Sequence, residues 1–444
     1  MKKFLYILGV SFVFSFALLL LTREPMQPDS YGYDSIGFNL AKGHGYVDDS
    51  RVPAMGREPA YPAFLALIYL LFDHDYFFVQ LAQIILFLLT AIFVYKTARL
   101  IFCEKIAVYS MAITALFPTL ANYPAYILSE TLFTFLLSVL VFSCIKIYFT
   151  NRTAYYLLAG GMLGITALCK AVMLPFIFIL ILWLIFLRFK SGFRAGFIIK
   201  IAVMTMAFVI LTIPWMARNY LKCGSFSLRG GSETPLCVKV QKLDYGFNDF
   251  KQNLVFIMSE NLGKRVFPDI VDNPRDFLHK EDDIAREKIL PELEGKGYSP
   301  EEIKNIMISK IMKRPVKFIA VSFLDLLKMT QFTYLSILID QRYLIDKITN
   351  LSYGNSLLSL IRGVFRSLAY ILILLSICGM LIKKDMWRKW IFLFLLICYT
   401  NLIYSLIYGY GRYGVPLIPY YIILSAPMIV AVEEKMKGMI KCQK

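Results

Sequence analysis

Between Phe4 and Leu21 the chain runs for 18 residues without a charged side chain, and similar runs recur along most of its length. A helix rises about 1.5 Å per residue, so such a run is long enough to cross the roughly 30 Å of hydrocarbon in a bilayer. Backbone polar groups in lipid must be satisfied inside helices or closed barrels, which leaves a chain of this kind few folds. Composition agrees, because 58% of the 444 residues are hydrophobic and only 18% are charged. That is too little polar surface to coat a water-soluble fold of this size. The expected fold class is an all-α polytopic membrane protein.

The first run follows Met1-Lys2-Lys3 and precedes Thr22-Arg23-Glu24-Pro25, with no small-residue cleavage site. It reads as an uncleaved helix that starts in the cytoplasm and delivers the next loop to the far side. The apolar stretch 60–72 is too short to span and is expected at the interface. Spans are expected near 77–97, 106–122, 128–147, 155–170, 172–188 and 196–216, then at 367–382, 389–407 and 414–432. Basic residues mark the cytoplasmic ends: Lys96, Arg99 and Lys105; Lys146 and Arg152; Arg188, Lys190 and Arg194; Lys383, Lys384, Arg388 and Lys389; and Lys435, Lys437 and Lys441. The segment 316–338 contains Asp325 and Lys328. It reads either as a helix against the membrane or as a span paired with a short one at 345–362.

Three parts follow: a transmembrane module over 1–218 whose first outer loop is 22–76, an outer soluble segment over 219–315, and C-terminal membrane helices over 316–444. In the soluble segment Ser299 is placed to cap a helix. The formal charge of +17 is accounted for mainly by the positive-inside pattern, with anionic lipid substrates a second contribution. No P-loop, zinc-ribbon spacing or aromatic-basic pattern points to a nucleic-acid partner. Cys103, Cys144, Cys169, Cys378 and Cys398 fall in apolar runs, whereas Cys223 and Cys237 fall in the soluble segment, where an oxidising compartment would leave a disulfide between them open. His44, His74 and His279 have no metal-binding spacing.

Chemistry concentrates at span ends on the outer side. Ionisable groups beside hydrocarbon are costly and call for a reason. The loop PDSYGYDSIGFNLAKGHGY (28–46) is a short amphipathic helix ending in a glycine turn, with Asp29 at its start and Tyr33 one turn later. A carboxylate there can take a proton from an incoming hydroxyl or amine, although spacing alone favours a helix cap. Arg57, Arg218 and Arg412 lie at outer boundaries where basic residues are scarce, and a guanidinium can hold two phosphate oxygens at once. Glu130 at the start of a span is a second acidic candidate, with a plain helix-terminal carboxylate as the alternative. Lys170 is a further cation, or else a snorkelling lysine.

These residues fall in a recognisable order: Asp29 and Tyr33 before FNLAKGHGY; Arg57-Glu58-Pro59-Ala60-Tyr61-Pro62; Ser129, Glu130 and Phe133; AGGMLGITALCKAVMLP (159–175); IPWMARNY (213–220); and Arg412-Tyr413 with Pro416 and Pro419. The order resembles the lipid-phosphate-sugar-dependent glycosyltransferases of the GT-C fold, in particular the protein O-mannosyltransferase and lipid A aminoarabinose transferase lineage. One departure is Ser30, where that family commonly has Glu, with Asp34 as a substitute carboxylate.

The resemblance implies a bundle of roughly ten to twelve transmembrane helices in the plasma membrane, with its site on the periplasmic or extracellular side. It implies inverting transfer of a hexose or pentose from a polyprenyl-phosphate donor to a glycan, lipid or protein acceptor. Asp29 would be the base, and Arg57, Arg218, Arg412, Lys170 and Tyr33 would surround the phosphate. Glu130 and Asp34 would be the second acidic or acceptor-side groups. No cofactor is implied, though Asp34, Asp48 and Asp49 leave room for a divalent metal. Two other classes fit a many-span chain. A polysaccharide ligase or polymerase commonly takes lipid-diphosphate donors and lacks the early Asp-Tyr loop. A transporter or flippase would hold its charges near the midplane rather than at one face.

Overall fold

The computed structural model describes residues 2–22, 24–188, 195–231, 233–258, 260–268, 284–330 and 354–442. Among these the chain is helical, apart from one isolated bridge between Val47 and Pro53. Seven helices are long and apolar enough to cross a membrane, or eight if a bent pair counts as one span. Three further apolar helices, Ala60–Phe72, Thr153–Cys169 and Ser367–Ile382, are shorter than that length. This agrees with the expected polytopic bundle.

Helix α1 (Lys2–Leu21) shows the logic of a chain solvated by lipid. Its buried residues are Ser11, Ser15 and Leu19, while Leu5, Val13 and Leu20 face outward. The two serines donate to the carbonyls of Ala115 and Ala121, so the polar stripe of α1 is its docking stripe. The loop that follows forms α2 (Pro28–Ala41), which ends at the expected turn around Gly43 and Gly45, and α3 (Ala60–Phe72). These two short helices pack on each other, and neither is long enough to span.

After α4 (Tyr76–Ile101) the expected span at 106–122 is broken into α5 (Glu104–Leu116) and α6 (Pro118–Asn122). The pair bends by 50° and the chain runs on through Pro124. The prolines remove donors, and the carbonyls freed by the break need partners. Gln83 Nε2 on α4 donates to the carbonyls of Pro124 and Tyr126, and Gln80 Nε2 to that of Ala125. The break is thereby fixed, and it delivers Ser129 and Glu130 to the start of α7 (Glu130–Thr150), which is buried along most of its length.

Helix α8 (Thr153–Cys169) lies against α7 and against α10 (Ala195–Cys223), with α9 (Phe176–Arg188) between them in the chain. A methyl group on Gly160 would stand 2.0 Å from the Met204 carbonyl oxygen, so only glycine permits the α8–α10 approach. The closing helices are Gly354–Ile382, Trp387–Ile407 and Ile418–Cys442. The last of these packs on the first and on α5, returning the chain to its beginning.

The long polar segment is also helical, with Glu233–Lys242, Phe247–Met258, Pro300–Met312 and Pro315–Met329 its main elements. Ser299 caps Pro300–Met312 as expected, its Oγ accepting the Glu302 N–H. Pro315–Met329 is not among the helices suited to span. Residues 331–353 of the ambiguous region lie outside the described residues, as do Lys190, Arg194 and His279. The disulfide left open by the sequence is absent: Cys223 and Cys237 are both free thiols. Cys237 is buried beside Val238, Ala285 and Leu290, whereas Cys223 is exposed with its thiol toward the Pro53 carbonyl.

Candidate active site

Asp29 sits in the first turn of α2 but does not cap it. Gln27 holds the cap position, and its N–H donates to Ser30 Oγ at 2.9 Å. Ser30 is fully buried, so the residue that departs from the family pattern does a capping task. With the cap supplied elsewhere, the Asp29 carboxylate is left to two arginines. Arg57 NH2 donates to Oδ1 at 2.9 Å, and Arg412 NH2 donates to Oδ2. These partners lie 28 and 383 positions away in sequence. Burial alone would raise the Asp29 pKa, but the charges of Arg412 and Arg57 outweigh it and hold the group well below the usual carboxylate range.

Each arginine is itself positioned. Arg57 lies over the Tyr33 ring, its guanidinium carbon 5.0 Å from the ring centre. It crosses α2 at Gly32, where a methyl group would meet Nε at 3.2 Å. Tyr33 is buried, meets Tyr61 edge-on, and has its hydroxyl 3.3 Å from Ser129 Oγ. Arg412 lies over Tyr410 and Tyr413, and Tyr413 stacks on Tyr404.

The network continues inward. Glu130 is buried at the start of α7, so it is no surface carboxylate. Its Oε1 lies 3.5 Å from Lys170 Nζ and 3.8 Å from Arg412 Nε. Lys170 is itself mostly buried, at the irregular residue between α8 and a 3₁₀ turn, over the Tyr413 ring. It does not snorkel. Glu58, next to Arg57, is also buried; its Oε1 accepts the Ala171 N–H at 3.1 Å and lies 3.9 Å from Arg229 NH1. Four cations (Arg57, Arg412, Lys170, Arg229) therefore face three carboxylates (Asp29, Glu58, Glu130), leaving one positive charge. Among the described residues, four buried atoms in this network have no hydrogen-bond partner: Arg57 Nε, Arg412 Nε, Glu58 Oε2 and Glu130 Oε2.

Two expected members stand apart. Arg218 donates to the carbonyls of Ala54 and Tyr46 and to Asn219 Oδ1, and lies over Tyr46 and Trp215. It pins the first loop to the end of α10, so two of the three arginines converge on Asp29. Asp34 is held by Tyr69, Tyr76 and His74, with hydroxyl or ring-nitrogen distances of 2.6, 3.0 and 2.7 Å. It ties α2 to the α3–α4 turn. Sequence reasoning missed Glu58, although it lies inside a quoted motif, and Arg229, whose loop reaches the site through a Gly230 N–H to Met55 carbonyl bond. A charged residue flanked by Arg57 and Pro59 was the available signal for Glu58. Among the described residues, no three His, Cys, Asp or Glu side chains are grouped so as to hold a metal ion.

Residues 53–216 match the family model described as dolichyl-phosphate-mannose-protein mannosyltransferase. No curated protein matches the chain. Among solved structures, the oligosaccharyltransferase of Archaeoglobus fulgidus in complex with an inhibitory peptide and a dolichol-phosphate superposes with a TM-score of 0.53 at 11% identity, covering 99% of this chain and 51% of that one. The same enzyme tethered to an acceptor peptide gives 0.51 at 12% identity, over 97% and 50%. The bundle shares its fold with these oligosaccharyltransferase structures. A more distant likeness is ArnT from Cupriavidus metallidurans bound to undecaprenyl phosphate, with a TM-score of 0.44 at 13% identity over 95% of this chain and 76% of that one. The chain spans about half the length of the oligosaccharyltransferase structures it matches. Its GT-C resemblance thus rests on the family model over 53–216 and on the shared architecture.

Proposed function

We propose that this chain transfers a sugar from a polyprenyl-phosphate donor to an acceptor hydroxyl or amine, with inversion, on the non-cytoplasmic side of the plasma membrane. The observation that carries the reading is the Asp29 carboxylate bridged by Arg57 and Arg412 inside a network with one excess positive charge. A glycosyl phosphodiester bears one negative charge, so its arrival would neutralise the site. Dolichol-phosphate in the oligosaccharyltransferase structure supports a lipid phosphate as the donor's carrier.

The reaction is a single displacement. The acceptor heteroatom forms a bond to the anomeric carbon while the bond from that carbon to the phosphate oxygen breaks, and the lipid phosphate leaves with the electron pair. Asp29 takes the acceptor's proton, and Arg57 and Arg412, with Lys170 behind them, hold the phosphate as it gains charge. With both oxygens on guanidiniums Asp29 is a weak base. A phosphate that draws the arginines toward itself restores its basicity, so donor binding prepares the base. Acceptor contacts are assigned to the outer segment 219–315.

Undecaprenyl phosphate binding and sugar turnover, measured separately in lipid nanodiscs, test this. Asp29→Asn is expected to bind the lipid at least as well as the parent and to lose turnover. Arg412→Ala is expected to lose lipid binding. Normal turnover by Asp29→Asn would remove the mechanism.

A further inference from the structure

We infer that Glu58 is part of the donor's sugar subsite, taking a hydrogen bond from a ring hydroxyl at its unpartnered Oε2. The inference rests on the donor-phosphate reading above and assigns the neighbouring chemistry.

Glu58 is 3% exposed, and only one of its two oxygens is used, by the Ala171 N–H. A buried carboxylate oxygen with no donor is costly and calls for an explanation. Of the neighbouring hydroxyls, Tyr46 donates to the Arg57 carbonyl at 2.8 Å and Tyr33 shares a hydrogen bond with Ser129, and neither is bonded to Glu58. Arg229 is near but weakly placed, 3.9 Å from the other oxygen and 40% exposed. The missing partner is therefore a ligand donor.

Its chemical class follows from position. Glu58 is the residue after Arg57, which together with Arg412 forms the anion-binding pair. A phosphodiester has acceptors and no donors, so it cannot satisfy Glu58. The sugar attached to it can, because its first hydroxyls lie only a few bonds from the phosphate. Glu130 repeats the arrangement on the other side, with Oε1 near Arg412 and Oε2 unpartnered. Two acceptor oxygens adjoining one phosphate site form a frame for a polyhydroxylated ring. Hydrogen bonds to a charged acceptor are among the stronger ones, and a site built for them rejects ligands lacking the hydroxyl.

The test compares undecaprenyl phosphate with undecaprenyl-phosphate-linked mannose, glucose, galactose and arabinose, by equilibrium binding to the full chain in nanodiscs. The wild-type chain should prefer at least one sugar-bearing lipid to the bare one. Glu58→Gln should weaken that preferred lipid tenfold or more while binding bare undecaprenyl phosphate at least as tightly as the parent, since it removes a negative charge beside the phosphate; that binding also reports an intact fold. Glu58→Leu should lose the preference entirely. Equal weakening of both lipids, no weakening of either, a wild-type chain blind to the sugar, or an effect confined to acceptor KM would each overturn the assignment. Arg57→Ala separates the two readings. If it leaves bare-lipid binding unchanged, the phosphate reading itself fails. If it abolishes that binding while Glu58→Gln alters nothing, only the sugar subsite fails.

Discussion

Among the described residues, two aspartates are each clasped by two cations, and they are built to opposite ends. Asp29 lies between Arg57 and Arg412 with 31% of its side chain exposed, and both arginines keep an unpartnered Nε. Asp325 lies between Lys239 and Lys242 and is sealed, the three side chains being 1%, 0% and 4% exposed. Lys239 Nζ bonds Asp325 Oδ2 at 2.6 Å, the Ser405 carbonyl at 2.7 Å and Ser322 Oγ at 3.3 Å, so its three hydrogens are all placed. Lys242 takes the other oxygen of Asp325 at 2.8 Å. The second cluster joins Glu233–Lys242, Pro315–Met329 and the end of Trp387–Ile407, a few residues before Arg412. A sealed, completed cluster fixes a structure. One whose arginines and carboxylate are partly exposed is open to an anion from outside.

The largest effect that can break this contrast is on turnover. Asp29→Asn should lower sugar transfer by about 10²–10⁴-fold, the range for loss of a general base, with thermal unfolding close to the parent. Asp325→Asn should do the reverse. It strands two buried lysines and should cost about 3–5 kcal/mol of stability, read as a lowered unfolding midpoint, with lipid binding lost only in the unfolded fraction. If Asp29→Asn destabilises as much as Asp325→Asn, the two clusters are the same kind of object and the contrast is wrong.

Binding comes next in size. Arg57→Gln or Arg412→Gln should weaken undecaprenyl phosphate about 10–100-fold, because each removes a charge-assisted donor to phosphate. Arg218→Gln should weaken it less than threefold and instead loosen the first loop, seen as faster proteolysis between residues 46 and 56. Replacing the sealed triad together, with Asp325→Leu, Lys239→Met and Lys242→Met, should recover much of the stability that Asp325→Asn loses. Buried ion clusters are often replaceable by apolar groups of similar volume. No apolar replacement of the Asp29 cluster should recover turnover.

How far these clusters could be read in advance follows the same division. Asp29, Arg57, Glu130, Lys170 and Arg412 each stand at the end of an apolar run, where a charge is conspicuous, and all five do converge. The spans were legible for the same reason, since length and apolarity suffice. What stayed hidden depends on pairings between distant positions. The role of Arg218 is set by carbonyls at 46 and 54, which no pattern around residue 218 reveals. Asp325 was conspicuous in its apolar run, but its lysine partners are 86 and 83 residues away. The break after Leu116 is written partly in Pro118 and Pro124 and partly in Gln80 and Gln83, which read as ordinary polar residues in a span.

The smallest effects lie in pH dependence, where the two aspartates share a sign but not a consequence. Burial opposes ionisation of Asp325, but Lys242 and Lys239 prevail and hold it at about 2. The folded value is depressed below the unfolded value of about 3.9, so the stabilisation is fully present above roughly pH 4 and disappears as pH falls toward 2. The gap in unfolding midpoint between the parent and Asp325→Asn should therefore be flat from pH 8 to 5 and close only below about 4. For Asp29 the same depression bears on proton transfer, since the arginines keep the free protein's carboxylate ionised through the ordinary acid range. Removing one of them must raise its pKa. Arg57→Gln should accordingly shift the acid limb of kcat/KM to higher pH, while the parent shows no limb from Asp29 above about pH 4. A limb that stays in place in Arg57→Gln would mean that another group takes the acceptor's proton, and Asp29 would then serve only to hold the arginines.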